Sequence, residues 1–529
     1  MYGKNTFIIL GVLCLTLLLV AASGCIGSSP TDQNAVLKIA TPNEITEASY
    51  FGNYNFAQMT RVATPPLVQV DENGEYIGAA AKSWAVSSDG KTWTFTLDPA
   101  YQWSDGTPLS AEDVKFSLEY TSEKVTTSPS WIKDAAITTN GNVVTISLAK
   151  PVYRLCGDLV AINIVPKHIW ASIDDPEEYI SAGPYVGSAA YYVKSVDTNS
   201  ATLVLAANPK WKGDAPYYGT VEIHWFATED AAILSMLGNE CDTYWKYGAS
   251  FPTGSVVLLD SSEKFTMVET PSLKMSYLGF NTITSKTGED KAFRKAIAYA
   301  LNYAELVEIS ASGYALPANS GFIPNGVPYY KDTAPNTYNL ATAKSMLDAA
   351  GYKDVTGDGV REDKNGSPLT VTLLSRDKVA GELIKEYLEK AGISVEFKFA
   401  SDLNAWIELK DAHAYDIAYN GITAKGMMMD SGWASGYFAS NTVGAGKLQN
   451  VDDPAFLALC SAIATTPDGN ALKTLISDLQ DYYAENMPGI ALYWCTDVTP
   501  INTKIDGWYI SKAAGILNEI NLVSVHPAA

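Results

Sequence analysis

Residues 368 to 400 read, in turn, PLTVTLLS, VAGELIKEYLEKAGI and SVEFKFA: a strand, a helix and a second strand. Parallel neighbours need a crossover connection where antiparallel ones need only a turn. A β-α-β run of roughly thirty residues therefore has the geometry of a parallel sheet. The rest of the chain is mixed in the same way. VLKIATP (36 to 42) alternates like a strand. In GEYIGAAAKSWAVSSDGKTWTFTL two strand-like runs flank a Ser-Asp-Gly turn, with Trp84 and Val86 on one face before it and Trp93, Phe95 and Leu97 alternating after it. Both halves of the chain predict α/β structure.

After that hairpin, WSDGTPLSAEDVKFSLEY predicts a tight turn at Trp103-Ser104-Asp105-Gly106. A helix follows, capped by Ser110 with Asp113 three residues on, and Val114, Leu118 and Phe116 supply its inward face. NVVTISLAKP predicts a strand ending at Pro151. Two further strands meet at a turn near Asp197 to Ser200, VEIHWF is another, and SLKMSYLGFNT returns to strand after the helical EDAAILSML. DKAFRKAIAYALNYAELVEIS predicts the longest clean helix, with Phe293, Ile297, Ala300 or Leu301, and Ala304 at three-and-four spacing. YNLATAKSMLDAAGY predicts a second helix that Gly351 ends.

At 529 residues and 47% hydrophobic content the chain is large enough for two cores or for one with insertions. Its 37 Lys and Arg against 58 Asp and Glu give a formal charge of −21. Phosphate capture needs clustered cations, so nucleic acid is set aside, as is a broad electrostatic hold on anionic lipid. Residues 1 to 24 have a signal-peptide shape: one lysine, an apolar run from Phe7 to about Ala22, then small residues. Ala22-Ser23-Gly24-Cys25 resembles a lipobox, which would make Cys25 the lipid-bearing N-terminus, with residues 25 to 35 as a polar tether. Cys156, Cys241, Cys460 and Cys495 remain, with no C-x-x-C pair, and read equally as buried thiols or as one disulfide.

Catalytic motifs are absent: there is no His-Glu-x-x-His and no Gly-x-Ser-x-Gly, so the hydrolase reading has no residues behind it. The four histidines, at 168, 224, 413 and 526, stand far apart. DVTGDGVREDKN (354 to 365) partly matches a calcium loop, but position twelve is Asn365, and the plainer reading is a polar hairpin. What stands out is the aromatic supply, 12 Trp and 31 Tyr, with clusters beside glycine in SYFGNYNF, TYWKYG and SGWASGYF. Such residues suit the lining of a ligand cleft, which makes Tyr50, Tyr54, Trp245, Trp433 and Tyr437 candidate contacts.

AAAKSWAVSSDGKTWTFTLDPAYQWSDGTPLSAEDVKFSLEY closely resembles the signature of the extracellular solute-binding proteins that serve peptide- and nickel-class ABC importers. VPKHIW, GPYVGSAAYY with NPKW, YLGFNT with KAFRKAIAYALN, YNLATAKSMLDAAGYKDVTGDGV and YDIAYNG follow in that family's order, so the resemblance covers roughly residues 36 to 525. It implies a two-lobe, periplasmic-binding-protein-like fold (type II, Venus-flytrap) with an extra subdomain in lobe one. Lobe one would comprise 36–55, 183–268 and 500–529, the subdomain 56–182 and lobe two 269–499. The chain would cross between lobes near Thr270 and near Pro500, and closure about those crossings would trap the ligand.

The resemblance also implies a monomer without cofactor or catalysis, held by its N-terminal lipid on the outer face of the cytoplasmic membrane, that hands an oligopeptide or similar small polar solute to the importer permease. In peptide-binding members an aspartate after the YDI strand pairs with the peptide's α-amino group. Here that role falls to Asp430, with Trp433 and Tyr437 as walls, although the usual aromatic-Ala-Asp-Tyr-Pro run is replaced by Gly426-Met427-Met428-Met429-Asp430-Ser431-Gly432. Met428 and its neighbours would tolerate variable guest side chains, fill a core gap, or set soft sulfur near a metal chelate. Nickel-chelate binding and a surface-receptor role on the same fold stay open as alternatives, and His413 does not match the histidine of nickel-binding members.

Overall fold

The computed structural model describes residues 32–529 apart from 47–48, 52–53, 73–74, 126–127, 182, 248–250, 326, 402, 424–450, 468 and 512–513. The signal-like segment, Cys25, Met428, Asp430, Trp433 and Tyr437 lie outside the described residues.

Two long strands, Phe265–Phe280 and Gly489–Asn502, run antiparallel and pair from Phe265↔Asn502 to Gly279↔Gly489. At one end Gly489–Asn502 pairs with Thr243–Tyr244, which leads through Asp32–Thr41 to the strands Tyr218–Trp225, Thr202–Ala207 and Tyr191–Asp197. At the other end Phe265–Phe280 pairs with Ile417–Thr423, which leads to Thr370–Ser375 and Ser394–Phe399. The two lobes thus share one pair of strands. Between the lobes the ladder slips: Pro271 faces Thr496 and Met275 faces Trp494, so one strand advances four residues while the other advances two. Extra residues of this kind bend a strand and sharpen its twist. Lys274 Nζ sits 2.6 Å from Asp497 Oδ1 across the slip.

Lobe two contains the expected crossover. Thr370–Ser375 and Ser394–Phe399 pair in parallel through the helix Lys378–Lys390, which Asp377 caps. The predicted long helix over 290–310 is instead two helices, Lys291–Ala300 and Tyr303–Ser310. Leu301 is extended, and the Asn302 side chain accepts from the Glu305 amide, so a local cap outcompetes continued helical pairing. Among the described residues Asn470–Asn486, with 17 residues, is longer than either. The helix Leu340–Ala349 ends as expected, with Gly351 at φ +95°. Buried Arg294 donates to the carbonyls of Gly288, Glu289, Asn486 and Met487. A cation thereby closes the C-terminal end of Asn470–Asn486.

The subdomain hairpin pairs Trp84 with Phe95 and Val86 with Trp93. Trp93, Phe95 and Leu97 are buried as the alternation predicts. Trp84 packs partly against the core, but Val86 is exposed, because the strand nears the open turn there. The helix Ala111–Lys124 carries both halves of the Ser110/Asp113 capping box and buries Val114 and Leu118, with Phe116 partly buried. The turn before it serves as scaffold. Gln102 and Ser104 amides donate to the carbonyls of Ser188 and Gly187, Asn208 Nδ2 donates to Gln102 O, and Asp105 accepts from the Thr107 amide and pairs with His168 at 2.7 Å. Gly187 is required there, since a Cβ would stand 2.6 Å from the Ala63 carbonyl.

The same turn reaches the C-terminal segment. Tyr101 donates to Glu519 Oε2 at 2.6 Å, the Ala190 amide donates to Oε1, and no cation accompanies the buried carboxyl. Burial pushes Glu519 from 4.5 up to about 7. Because the folded value lies above the unfolded one, its contribution is present in full below pH 4.5 and is lost as pH rises through 7. Stability is expected to fall by about 3 kcal/mol across that window from this group. Glu519→Gln should flatten that part of the profile, as measured by thermal melts from pH 4 to 9. Parallel wild-type and variant profiles would remove Glu519 as the cause.

Candidate ligand-binding cleft

The subdomain and lobe two touch. Arg154, at the head of the short helix Leu155–Leu159, donates from Nη2 to the carbonyl of Thr466 at 3.1 Å. Thr466 is the C-terminal cap of the helix Pro454–Thr465, so the guanidinium meets the negative end of that helix's dipole. One apolar cluster runs through both bodies: Leu155 and Leu159 from the subdomain, Phe456, Ile463 and Leu472 from lobe two, and Met275, Tyr277 and Trp494 from the shared strands.

Several polar atoms in or beside this cluster are shut off from solvent and have no protein partner. Among them are the Trp494 indole N–H, Asn163 Oδ1 and Asp158 Oδ1, and the Trp103 indole N–H of the same cluster is another. Such atoms are few in folded proteins, and a bound solute is one way to satisfy them. Trp494 stands edge-on to Tyr330, with ring centres 5.5 Å apart. Asp158 holds its other oxygen 2.7 Å from the Trp131 indole nitrogen, and burial pushes its carboxyl up to about 6. Sequence reading missed Trp494, Asn163 and Asp158. A residue's type shows no missing hydrogen bond; only packing creates one.

The sequence candidates fall differently. Tyr50 is 2% exposed and packs against Phe56, Trp170 and Tyr185, and burial raises its hydroxyl far above the ordinary value. Trp245 lies in the same lobe-one cluster and donates its indole N–H to Ala514 O at 3.1 Å. Both rings pack within lobe one, and the Tyr50 hydroxyl is buried without a protein partner. Tyr54 begins the helix Tyr54–Thr60. Asp430, Trp433, Tyr437 and Met428 lie outside the described residues. A separate groove of about 450 Å³ in lobe two is lined by Lys295, Tyr299, Asn336, Asp481, Glu485 and Met487, among others, and includes none of the sequence candidates.

In the loop 354–365 the carboxylates serve the backbone. Asp354 accepts from the Gly357 and Gly359 amides, and Asp363 accepts from those of Asn365 and Ser367, which is the polar hairpin. Among the described residues Cys156, Cys241, Cys460 and Cys495 form no disulfide with one another. Among the described residues no helix is long and apolar enough to cross a membrane.

Removing the Arg154 donor is expected to loosen the contact between the two bodies by about 1 kcal/mol. Small-angle scattering of ligand-free Arg154→Ala should show a more expanded particle than the wild type at equal thermal stability. Superimposable profiles would leave the contact no part in closure.

Known proteins share this architecture. The model of the bacterial extracellular solute-binding proteins, family 5, matches residues 75–444. The glutathione-binding protein GsiB of Pectobacterium atrosepticum is 25% identical over 459 residues, 84% of this chain and 85% of its own. Two solved structures are similar in fold. The periplasmic oligopeptide-binding protein of an oligopeptide ABC transporter from Thermotoga maritima has a TM-score of 0.80 at 20% identity, covering 94% of this chain and 100% of that one. NikA from Brucella suis, in complex with Fe(III)-EDTA, has a TM-score of 0.78 at 19% identity, covering 93% and 100%. With two lobes on one shared strand pair and the family match across most of its length, this chain belongs to the bacterial extracellular solute-binding proteins, family 5.

Proposed function

We propose that the protein captures an oligopeptide, or a small polar solute of similar chemistry, between its lobes and delivers it to the permease of an ABC importer. The observation that carries this reading is the strand pair common to both lobes, slipped between Pro271 and Met275, in a chain of the solute-binding family. Two backbone crossings allow closure about one axis while each lobe keeps its own core. Ligand favours the closed form because both lobes contact it only there. In this reading lobe one comprises 36–55, 183–268 and 500–529, the subdomain 56–182 and lobe two 269–499. The hinge in this reading lies near Thr270 and near Pro500, on the two strands that pair across Thr270↔Asp497 and Met267↔Pro500.

Relatives named for glutathione and for oligopeptides support a peptide-like guest. The metal-chelate alternative draws on NikA, and native mass spectrometry of the purified protein separates the two, a peptide-mass ladder against a chelate mass. His168 and His224 are each engaged by a carboxylate, Asp105 and Glu222, which favours the peptide reading. Catalysis has no place in this scheme. Asp430 receives the guest's α-amino group, and Trp433 and Tyr437 flank it.

Asp430→Asn should weaken binding of a free-amine peptide by about 1 to 3 kcal/mol if the pair is buried. Unchanged affinity by calorimetry would take Asp430 out of the site. The segment before Cys25 acts as a secretion signal, and Cys25 carries the lipid that holds a monomer on the outer face of the cytoplasmic membrane. Cys25→Ser should shift the protein from the membrane fraction to the soluble one, and retention at the membrane would refute the anchor.

A further inference from the structure

The two strands that cross between the lobes lose their pairing at one place, and a charge pair is built across it. Their ladder is regular up to Thr270↔Asp497 and Pro271↔Thr496, and it resumes at Met275↔Trp494. Lys274, inside the gap, is anchored on its other side: it pairs with Thr423, the last residue of the lobe-two strand Ile417–Thr423. Asp497 is anchored by Thr270, on the lobe-one side of the gap. The two side chains meet across it, Lys274 Nζ donating to Asp497 Oδ1 at 2.6 Å, with 16% and 25% of their surfaces exposed. Both charges lie near enough to the Cys495 thiol, beside Trp494 in the same strand, to act on it.

Each end of the pair therefore follows a different ladder. When the lobes turn against each other, the turn is taken up where the shared ladder has no pairs; Lys274 moves with the strands of lobe two and Asp497 with those of lobe one. An ion pair mostly covered by protein is screened by salt less than an exposed one, and its hydrogen bond is gone once the atoms part beyond about 3.5 Å. The contact is made in the arrangement in which Arg154 of the subdomain meets the Thr466 carbonyl of lobe two. It adds its attraction to that arrangement, and to no wider one in which the two anchors have separated.

We propose that the Lys274–Asp497 pair is a strut across the hinge that sets the balance between the closed arrangement, with the subdomain against lobe two, and open ones. The proposal rests on the reading that the lobes close on a solute, and it names a source of closing force outside the cleft. The strut favours closure before a guest arrives, so the closed form is more populated and the apparent affinity higher.

Small-angle scattering of the full mature chain, freed of guest by unfolding, dialysis and refolding, reads this balance without any ligand. Failure of the peptide reading therefore leaves the test intact. Lys274→Met and Asp497→Asn are each expected to lower the ratio of closed to open forms about five-fold, seen as a larger radius of gyration than the wild type. Lys274→Asp and Asp497→Lys, which turn attraction into repulsion, should expand the particle further. The two reversals combined rebuild the pair with its ends exchanged and should return the profile toward that of the wild type, a rescue that loss of packing alone would not show. Thermal melts establish that each variant is folded, and where a single substitution fails to fold, the exchanged pair decides against the wild type. Neutral variants that are folded and scatter as the wild type does overturn the proposal. So does an exchanged pair that stays expanded.

Discussion

The backbone ladder between Phe265–Phe280 and Gly489–Asn502 is the constraint on which the rest depends. The halves of the large sheet that belong to the two lobes join through this pair, so the lobes cannot separate without breaking it. It is also where the ladder is irregular. A continuous regular ladder would make one stiff sheet; two unmatched residues between Pro271 and Met275 leave a place where twist can change while the hydrogen bonds on either side persist. The Lys274–Asp497 pair spans that place with both side chains mostly covered, so the slip is held by charge where backbone pairing lapses.

Around this axis the subdomain is fixed on one side and makes contact on the other. The turn after its hairpin is tied to lobe one by backbone bonds at Gly187 and Ser188 and to the C-terminal segment through Tyr101 and Glu519. Toward lobe two it offers Arg154 and an apolar face. The difference in bonding fits a body that moves with one lobe and closes on the other. The buried polar atoms without partners, at Asp158, Asn163 and Trp494, lie in or beside the cluster that spans the contact.

Features legible in the sequence are those whose cause lies within a few residues. Ser110 and Asp113 sit three apart and satisfy each other's backbone, so the capping box could be read directly. Gly351 ends a helix because the next turn needs positive φ, and residues 370–399 form a parallel unit because a helix of the right length separates two strands. The helix break at Leu301 and Asn302 was local too, but the hydrophobic spacing running through it masked the Asn302 cap. Aromatic clusters show their partners only in three dimensions. Tyr50 and Trp245 stand in loop-like sequence, and they pack in lobe one against partners that no local pattern reveals.

By itself the sequence determined the α/β class, the helix start at Ser110 and the stop before Gly351, and, through its ordered motifs, the resemblance to a family of two-lobed binding proteins. Tertiary structure alone decided that Arg154 meets Thr466, 312 residues away, that Glu519 is buried against Tyr101, and that Asp158 keeps an oxygen with no donor. Propensity and capping are properties of neighbouring residues, which the order of the chain fixes. Desolvation and unmet hydrogen bonds depend on which distant surfaces exclude water together, and that is settled only when the whole chain has packed.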